Sequence, residues 1–413
     1  MRDALERLFD YFEGAGYALY LVGGAVRDAL LGSVPTDMDL TTDARPEAMQ
    51  ALFSRALPGA QVATAGARFG TIGVQLDGRW FEITTFRADK NYGDGRHPDR
   101  VVFGTSARED VLRRDFTVNG LLMDRRGVVL DYVGGFSDLK ARRLRCIGDP
   151  KTRFAEDRLR KWRCVRLATI KGFAVEAETW HALTADADTA GVSCERIGSE
   201  WRKLLTGPHF GRGMMLLTAS GLWADLIRRL GIGRARMPLE GDEAVMDALP
   251  EDPAVRLAFL LTDESAISEV LKPLALPRAM VRAAERYGER QQISAAADIV
   301  AFKSALADLG RPSFEKLLAL QQALAGAAAD QRRAAANRAC YARIVQEHQP
   351  IVRSELALSA ANLKAMGLSG AAIGRSLTLL LHHVYRRPAD NTPEALRAVL
   401  TEAARKETEK DSE

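Results

Sequence analysis

At 413 residues the chain is long enough for about two to four domains, and its 47% hydrophobic and 27% charged composition excludes disordered, collagenous and coiled-coil classes. No run reaches the ~18 apolar residues of a membrane span, and the opening MRDALERLFDYF mixes acids into its apolar residues, unlike a signal peptide; a soluble, cytoplasmic protein without a membrane partner is expected. Its 58 basic and 54 acidic residues leave a net +4, yet residues 142–171 hold eleven Lys/Arg and three acids, a local +8 that points to a polyanion.

In chain order, the spacing of Leu5, Leu8, Phe9 and Phe12 predicts an amphipathic helix. YALYLV reads as a strand ending at Gly23-Gly24, followed by a short helix over Ala25 to Leu31 that Gly32 closes. Met38 to Thr42 is a second strand. TIGVQL and RWFEITTF form a hairpin, because Asp77-Gly78 between them suits a type I′ turn. Residues 87–104 read as a charged, glycine-containing loop. LLMD and VVLDYV flank Arg125-Arg126-Gly127 as a further hairpin. After Pro150 the 3.6-residue period takes over, with helices expected at 151–171, 176–187, 194–206 and 208–219, an alanine-rich helical stretch over 294–345, and one or two helices in 354–385 broken near Gly367-Leu368-Ser369-Gly370. The last residues, KETEKDSE, are polar enough to expect disorder. Cys146, Cys164, Cys194 and Cys340 form no CxxC, which argues against zinc sites and disulfides.

The acids carry the chemistry. Asp37 and Asp39 alternate on one expected strand, so both carboxylates project from one face. Such a pair repels itself unless a cation lies between, and hard oxygen ligands suit Mg²⁺. A bare DxD also occurs as a helix-capping or hydrated loop; the preceding element favours the functional reading. Gly23-Gly24 lets a phosphate approach the backbone where a helix opens, and Arg27 lies one turn in. Glu82 falls on the strand face opposite Phe81 and Ile83, as either a solvent-facing residue or a third metal-side carboxylate.

LVGGAVRDALLG with TDMDLTT, RRDFTVNGL, DYVGGFSDLKARRLRCIGDP and RFAEDRLRKWRCVRLA, in that order over residues 21–168, closely resemble the class II tRNA nucleotidyltransferase/poly(A) polymerase family of the polymerase β-like superfamily. CERIGSEWRKLL at 194–205 and LKAMGLSGAAIGRSLTLLL at 363–381 extend the resemblance. It implies an α/β nucleotidyltransferase (polymerase β-like) head with a mixed sheet over 1–148, followed by an all-α neck at 149–230 and an all-α body and tail at 231–405, with residues 406–413 disordered. It also implies that Asp37 and Asp39 hold two Mg²⁺ ions, one activating the RNA 3′-hydroxyl and one binding the incoming triphosphate, with Glu82 as third carboxylate. Gly24, Arg27 and Arg114 would contact the nucleotide.

EDRLRKWRCVR is the most informative segment. On a helix Asp157 and Arg160 share a face, and Arg163 and Arg166 continue the stripe, all four as expected nucleotide-binding residues. A solvated basic face is the ordinary reading of such a stripe. Aspartate's poor helix propensity and the apolar opposite side of Phe154, Leu159, Trp162 and Val165 argue against it. In the family the matching Asp and Arg read the base. Cytosine and adenine both present an amino donor beside an unprotonated ring nitrogen, so aspartate accepts from one while arginine donates to the other; uracil and guanine present the reverse. Glu156 can brace Arg160 at i,i+4.

Within the family, FGTIGV, EITTFR and YGDGRHPDRVVF look CCA-type, and the charged loop at 87–104 favours complete addition. The expected activity is therefore addition of C, C and A to the 3′ end of tRNA from CTP and ATP, with poly(A) polymerase or CC-only addition as alternatives. A non-catalytic tRNA-binding relative and a small-molecule nucleotidyltransferase are the rivals from other classes; intact Asp37 and Asp39 argue against the first, the long helical body against the second. The chain departs from the family's typical EDPLRMLR at Arg158 and at Lys161-Trp162, and from the expected KHGT at Arg68 to Thr71.

Overall fold

The computed structural model describes residues 2–35, 38–57, 59–90, 100–103, 106–262, 264 and 266–410. Asp37 lies outside them, as do parts of the expected 87–104 loop and the last three residues. The chain divides into two compact units: Met1–Ile232 with Pro238–Glu243 and Leu271–Leu276, and Gly233–Met237 with Ala244–Val270 and Pro277–Glu413.

The first unit opens with α1 (Arg2–Gly14), β1 (Leu19–Val22), α2 (Gly24–Leu30), β2 (Met38–Thr42) and α3 (Pro46–Ala56). Then come β3 (Val62–Ala63), β4 (Thr71–Leu76), β5 (Arg79–Thr85), β6 (Arg87–Lys90) and β7 (Arg100–Phe103). Next are α4 (Ala107–Leu112), β8 (Leu121–Met123), β9 (Val129–Asp131), α5 (Gly135–Lys140) and β10 (Arg143–Leu144). Seven strands form a mixed sheet in the order β3-β4-β5-β2-β1-β8-β9. Among the described residues only β2 and β5 run parallel in it, with Asp39 opposite Glu82. Asp77 and Gly78 both take positive φ, at 52° and 74°, as a type I′ hairpin turn requires. Helix α1 buries Leu8, Phe9 and Phe12 against this sheet and α3, where Phe12 meets Phe53 edge-on at 6.0 Å. Strand alternation sends Leu40, Ile72, Val74, Phe81 and Ile83 into that core and leaves Asp39 and Glu82 exposed.

The segment expected as a loop at 87–104 instead forms, over its described residues, an antiparallel β6–β7 ribbon pairing Arg87 with Phe103. The correction follows from β propensity: Val101, Val102 and Phe103 favour a strand that a glycine-based reading overlooked.

Helices then dominate: α6 (Pro150–Glu156), α7 (Leu159–Lys171), a two-residue strand β11 (Ala174–Val175), α8 (Ala177–Ala185), α9 (Cys194–Thr206), α10 (Phe210–Ala219) and α11 (Leu222–Leu230). Their core holds Trp162, Trp201 and Trp223, the last two with ring centroids 5.4 Å apart. The single helix expected over 151–171 is corrected to two. Asp157 is extended (φ −144°, ψ 102°), and its carboxylate accepts the Leu159 N–H at 3.1 Å. A short acidic side chain that bonds the nearby backbone competes with helical hydrogen bonding and favours a boundary. Thus Asp157 does not share a helix with Arg160; it precedes the first turn of α7. At Gly198 of α9 a Cβ would stand 2.1 Å from the Leu274 carbonyl oxygen, so only glycine lets that returning strand of chain approach.

The second unit is helical by itself: α12 (Asp242–Asp247, which begins in the first unit), α13 (Pro253–Leu260), α14 (Ile267–Leu271), α15 (Arg278–Arg290), α16 (Ile299–Leu309), α17 (Arg311–Leu324) and α18 (Ala328–Gln346). It ends with α19 (Ala360–Ala365), α20 (Ala371–Arg386) and α21 (Pro393–Lys410). Helix α13 is buried from Ala254 to Leu260, and Phe302 and Phe314 pack at right angles, 5.0 Å apart. The break at Gly367 to Gly370 lies between α19 and α20, as expected. Of the tail expected to be disordered, residues 406–410 instead continue α21.

Candidate active site

Within the first unit, a cavity of about 650 Å³ opens between α2 and α7. Gly24, Arg27, Asp39, Arg114, Asp157, Arg160, Arg163 and Arg166 all line it, together with Gly23, Asp28, Arg113, Asp115, Asn119, Lys171 and Lys203. Glu82 does not line it, although the β2–β5 register sets it beside Asp39 on the same exposed face. Eight Lys/Arg against four Asp give the lining an excess of positive charge, and a concave surface of one sign concentrates counter-ions.

The cavity is built on fixed cations. Strand β1 ends at Val22, and at Gly23, whose φ of 69° and ψ of −129° suit only glycine, the chain turns into α2. Buried Arg27 follows one turn later. Its Nε donates to Asp28 at 2.9 Å and its Nη1 to the Asn119 amide oxygen at 2.5 Å. Lys171 also reaches Asp28, at 2.8 Å. Burial alone would raise the Asp28 carboxyl, but Arg27 and Lys171 outweigh it and hold it below the usual range. Asn119 in turn donates to Asp115 at 3.0 Å.

Asp115 is the hub. It accepts the Phe116 N–H at 2.8 Å and two Arg163 donors, Nε at 2.8 Å and Nη2 at 2.6 Å. Burial opposes ionisation, yet Arg163 and Asn119 prevail and keep this carboxyl well below the ordinary value. Arg163 is held charged chiefly by Asp115. Arg163, expected to reach a nucleotide, is thus also a structural tie between the sheet domain and α7. Arg166 bonds Glu200 of α9.

Two further acids sit behind the cationic wall. Asp110 is fully buried and accepts from Arg113 Nη2 at 2.7 Å and from Arg114 Nη2 at 2.9 Å. Burial would raise its carboxyl, but Arg114 and Arg113 hold it below the usual range. The Arg114 Nε is buried and meets no partner among the described residues. Glu156 accepts from Arg160 Nη1 at 2.7 Å and from Arg153 at 2.9 Å, the bracing expected from i,i+4 spacing. Arg160 also donates to the carbonyls of Arg153 and Arg113, each at 3.0 Å. Asp157 accepts from Arg196 Nη2 at 3.1 Å.

Sequence reasoning missed Asp110, Asn119, Glu200 and Arg196. A signal was present for the first two, since Asp110 precedes Arg114 by four and Asn119 follows Asp115 by four, spacings that meet on a helical turn. Among the described residues no cluster of three or more His, Cys, Asp or Glu is arranged to hold a metal. Asp39 and Glu82 do offer hard oxygen donors side by side, which fits a magnesium-type ion, and Asp37 stands two residues before Asp39 in the sequence. All four cysteines are free, none lines the cavity, and burial pushes the Cys146 thiol up to about 12. Among the described residues no helix is long and apolar enough to cross a membrane.

Comparison with known proteins matches residues 19–145 to a model described as the poly A polymerase head domain. Residues 172–230 match one described as a probable RNA and SrmB-binding site of polymerase A. A CCA-adding enzyme of Bacillus pumilus is 42% identical over 212 residues, 51% of this chain and 52% of that protein. One from Bacillus velezensis is 36% identical over 272 residues, 65% of this chain and 67% of that protein. The chain thus spans about half the length of the first of these curated relatives and two thirds of the second. Among solved structures, the Bacillus stearothermophilus CCA-adding enzyme in complex with CTP superposes with a TM-score of 0.71 at 28% identity, covering 99% of this chain and 100% of that one. The Thermotoga maritima CCA-adding enzyme complexed with tRNA shares the fold, with a TM-score of 0.68 at 18% identity over 97% of this chain and 95% of that one.

Proposed function

The chain belongs to the class II tRNA nucleotidyltransferase/poly(A) polymerase family, and from that premise we propose that it adds C, C and A to the 3′ end of tRNA from CTP and ATP without a nucleic-acid template, in the cytoplasm. One observation carries the proposal: motifs scattered over residues 23–166 bring Asp39, Arg27, Arg114, Asp157 and Arg160 to one cationic cavity. The relatives named for CCA addition support the same reading.

Each residue takes a role from its setting. Arg27, fixed by Asp28 and Asn119, and Arg114, fixed by Asp110, would bind triphosphate oxygens. Gly23 and Gly24 keep side chains out of the way of that phosphate. Asp157 would accept from the amino group of C or A while Arg160 donates to the adjacent ring nitrogen. Glu156 and two carbonyls hold the Arg160 guanidinium in plane, so its direction is set before the base arrives. Arg163 and Arg166 complete the nucleotide pocket.

Asp37 and Asp39 would hold Mg²⁺, with Glu82 as the neighbouring third carboxylate. That ion, when bound, supplies charge neutralisation for the triphosphate and acidifies the attacking 3′-hydroxyl. In-line displacement at the α-phosphate, with pyrophosphate leaving, then needs positioning and charge compensation from the protein more than a separate base. We assign catalysis to residues 1–148, base selection to 149–230 and tRNA holding to 231–405.

The test is nucleotide addition to three tRNA transcripts ending before CCA, at C and at CC, each incubated with Mg²⁺ and CTP, ATP or both, and resolved to single nucleotides. Completion at CCA on all three is expected. A stop after CC indicates the partial enzyme, a long A ladder indicates poly(A) polymerase, and tight binding without addition indicates a non-catalytic relative.

A further inference from the structure

The entry to α7, residues 157–161, carries two sets of side chains. Asp157 and Arg160 face the cavity. Their sequence neighbours Arg158 and Lys161 go elsewhere. Arg158 Nη1 donates to the Asp188 carboxylate at 2.8 Å and to the Ala190 carbonyl at 3.0 Å. Lys161, 1% exposed, donates from Nζ to the Asp186 carboxylate and to the Asp188 carbonyl, both at 2.9 Å. These are two of the positions where the chain departs from the family's usual motif, and both departures meet one loop, residues 186–190.

That loop is itself rigidly built. The Asp186 carboxylate accepts the Asp188 N–H and the Asp188 carboxylate accepts the Ala190 N–H, each at 2.9 Å. Thr189 is fully buried and bonds Asp225 of α11 through its hydroxyl. Arg229 of α11 donates to the Thr189 carbonyl at 2.9 Å and to the Val192 carbonyl at 2.6 Å. The loop is therefore anchored to α11 on one side and grips α7 on the other.

We propose that the 186–190 loop, through Arg158 and Lys161, is a positioning device for nucleotide selection. The inference rests on the base-reading role given above to Asp157 and Arg160. Asp157 lies at the junction of α6 and α7 with an extended backbone, held there by only a long N–H bond to the Arg153 carbonyl at 3.4 Å and by the Arg160 N–H on its own carbonyl at 3.0 Å. Arg158, the next residue, supplies a tether that fixes the peptide between them. Lys161, the residue after Arg160, holds the helix from rotating about its axis. A buried ammonium needs its acceptors, so Lys161 keeps the Asp188 carbonyl in place, and with it the loop. Arg158, Lys161, Asp186 and Asp188 act through Asp157 and Arg160 and touch no nucleotide.

The test compares Asp188→Ala, Lys161→Met and the more exposed Arg158→Gln with the wild-type chain. For each, kcat and KM are measured for CTP, ATP, UTP and GTP on tRNA transcripts, with tRNA binding and thermal melting as controls. Lys161→Met preserves the buried stem, and Arg158→Gln changes a side chain that is 35% exposed, so at least one folded variant is expected. The expected result is about a ten-fold loss in discrimination against UTP and GTP, because sub-ångström misplacement of recognition groups is costly. The KM for CTP and ATP should rise, tRNA affinity should stay unchanged, and Asp188→Asn, whose amide oxygen can still accept, should restore selectivity. The ratio of kcat/KM values does not depend on the fraction of active protein, so mere instability cannot produce this pattern. Wild-type selectivity in all three folded variants overturns this inference alone. A wild-type chain that adds neither C nor A overturns the functional reading and this inference with it.

Discussion

Replacing Asp115 by asparagine removes one negative charge and turns one acceptor into a donor. Asp115 receives the Phe116 N–H, the Asn119 amide and two Arg163 donors, all between 2.6 and 3.0 Å, while only 8% exposed. In the variant a side-chain NH₂ must face either Arg163 or Asn119, and Arg163 loses its principal counter-charge. Breaking a buried ion pair at one partner costs about 3–5 kcal/mol. Arg163 is 35% exposed and can recover some hydration, so about 3 kcal/mol is expected. For a unit of this size that lowers Tm by about 6–12 °C. The pH dependence has a definite sign. The folded-state carboxyl lies below its unfolded value near 4. Its contribution is therefore complete above that value and lost as pH falls toward the folded value. Thermal melting of both proteins, followed by circular dichroism, should show a constant gap from about pH 5 to pH 8 that narrows below about pH 4. A Tm change under about 2 °C at pH 7, or a gap unchanged down to about pH 3, would refute the account of Asp115 as an ionised hub.

Other outcomes follow from the same site. Asp39→Ala should abolish nucleotide incorporation while leaving the Kd for tRNA nearly intact, measured by gel shift; retained activity would contradict its assignment as a metal ligand. Arg160→Ala should relax base choice more than it weakens triphosphate binding, so misincorporation of UTP and GTP should appear in single-turnover assays. An equal loss for all four nucleotides would count against base reading. Gly23→Ala should cost about 1–3 kcal/mol, because φ 69° with ψ −129° is open only to glycine, and its methyl would stand 3.5 Å from Arg114 Nη1. Its Tm should fall and the KM for both nucleotides should rise. tRNA binding should weaken steeply with salt, log K falling linearly against log salt concentration, as expected when basic side chains displace counter-ions from phosphates.

Local pattern made much of the architecture readable in advance. The period of Leu5, Leu8, Phe9 and Phe12 marks α1, because an amphipathic helix repeats every 3.6 residues whatever packs on it. Asp77-Gly78 marks its hairpin, because few residues besides glycine, asparagine and aspartate tolerate consecutive positive φ values. The motifs from Gly23 to Arg166 identified the family and eight of the residues that line the cavity. They did so because each motif is a short run whose chemistry is visible without its partners.

What the sequence alone determined is therefore local: element type, turn chemistry and the inventory of charges. What only the tertiary structure decided is pairing. The parallel register that sets Glu82 beside Asp39 joins residues 43 apart, and no local period records it. The break at Asp157 depends on a side-chain bond that competes with the helix, a contest settled by neighbours such as Arg196. Asp110 and Glu200 look like ordinary surface acids until burial places them behind arginines. Lys161 looks like a solvated helix residue until the 186–190 loop covers it. Glu200 and Lys161 leave water only where a distant partner meets them, and that partner is brought there by the fold.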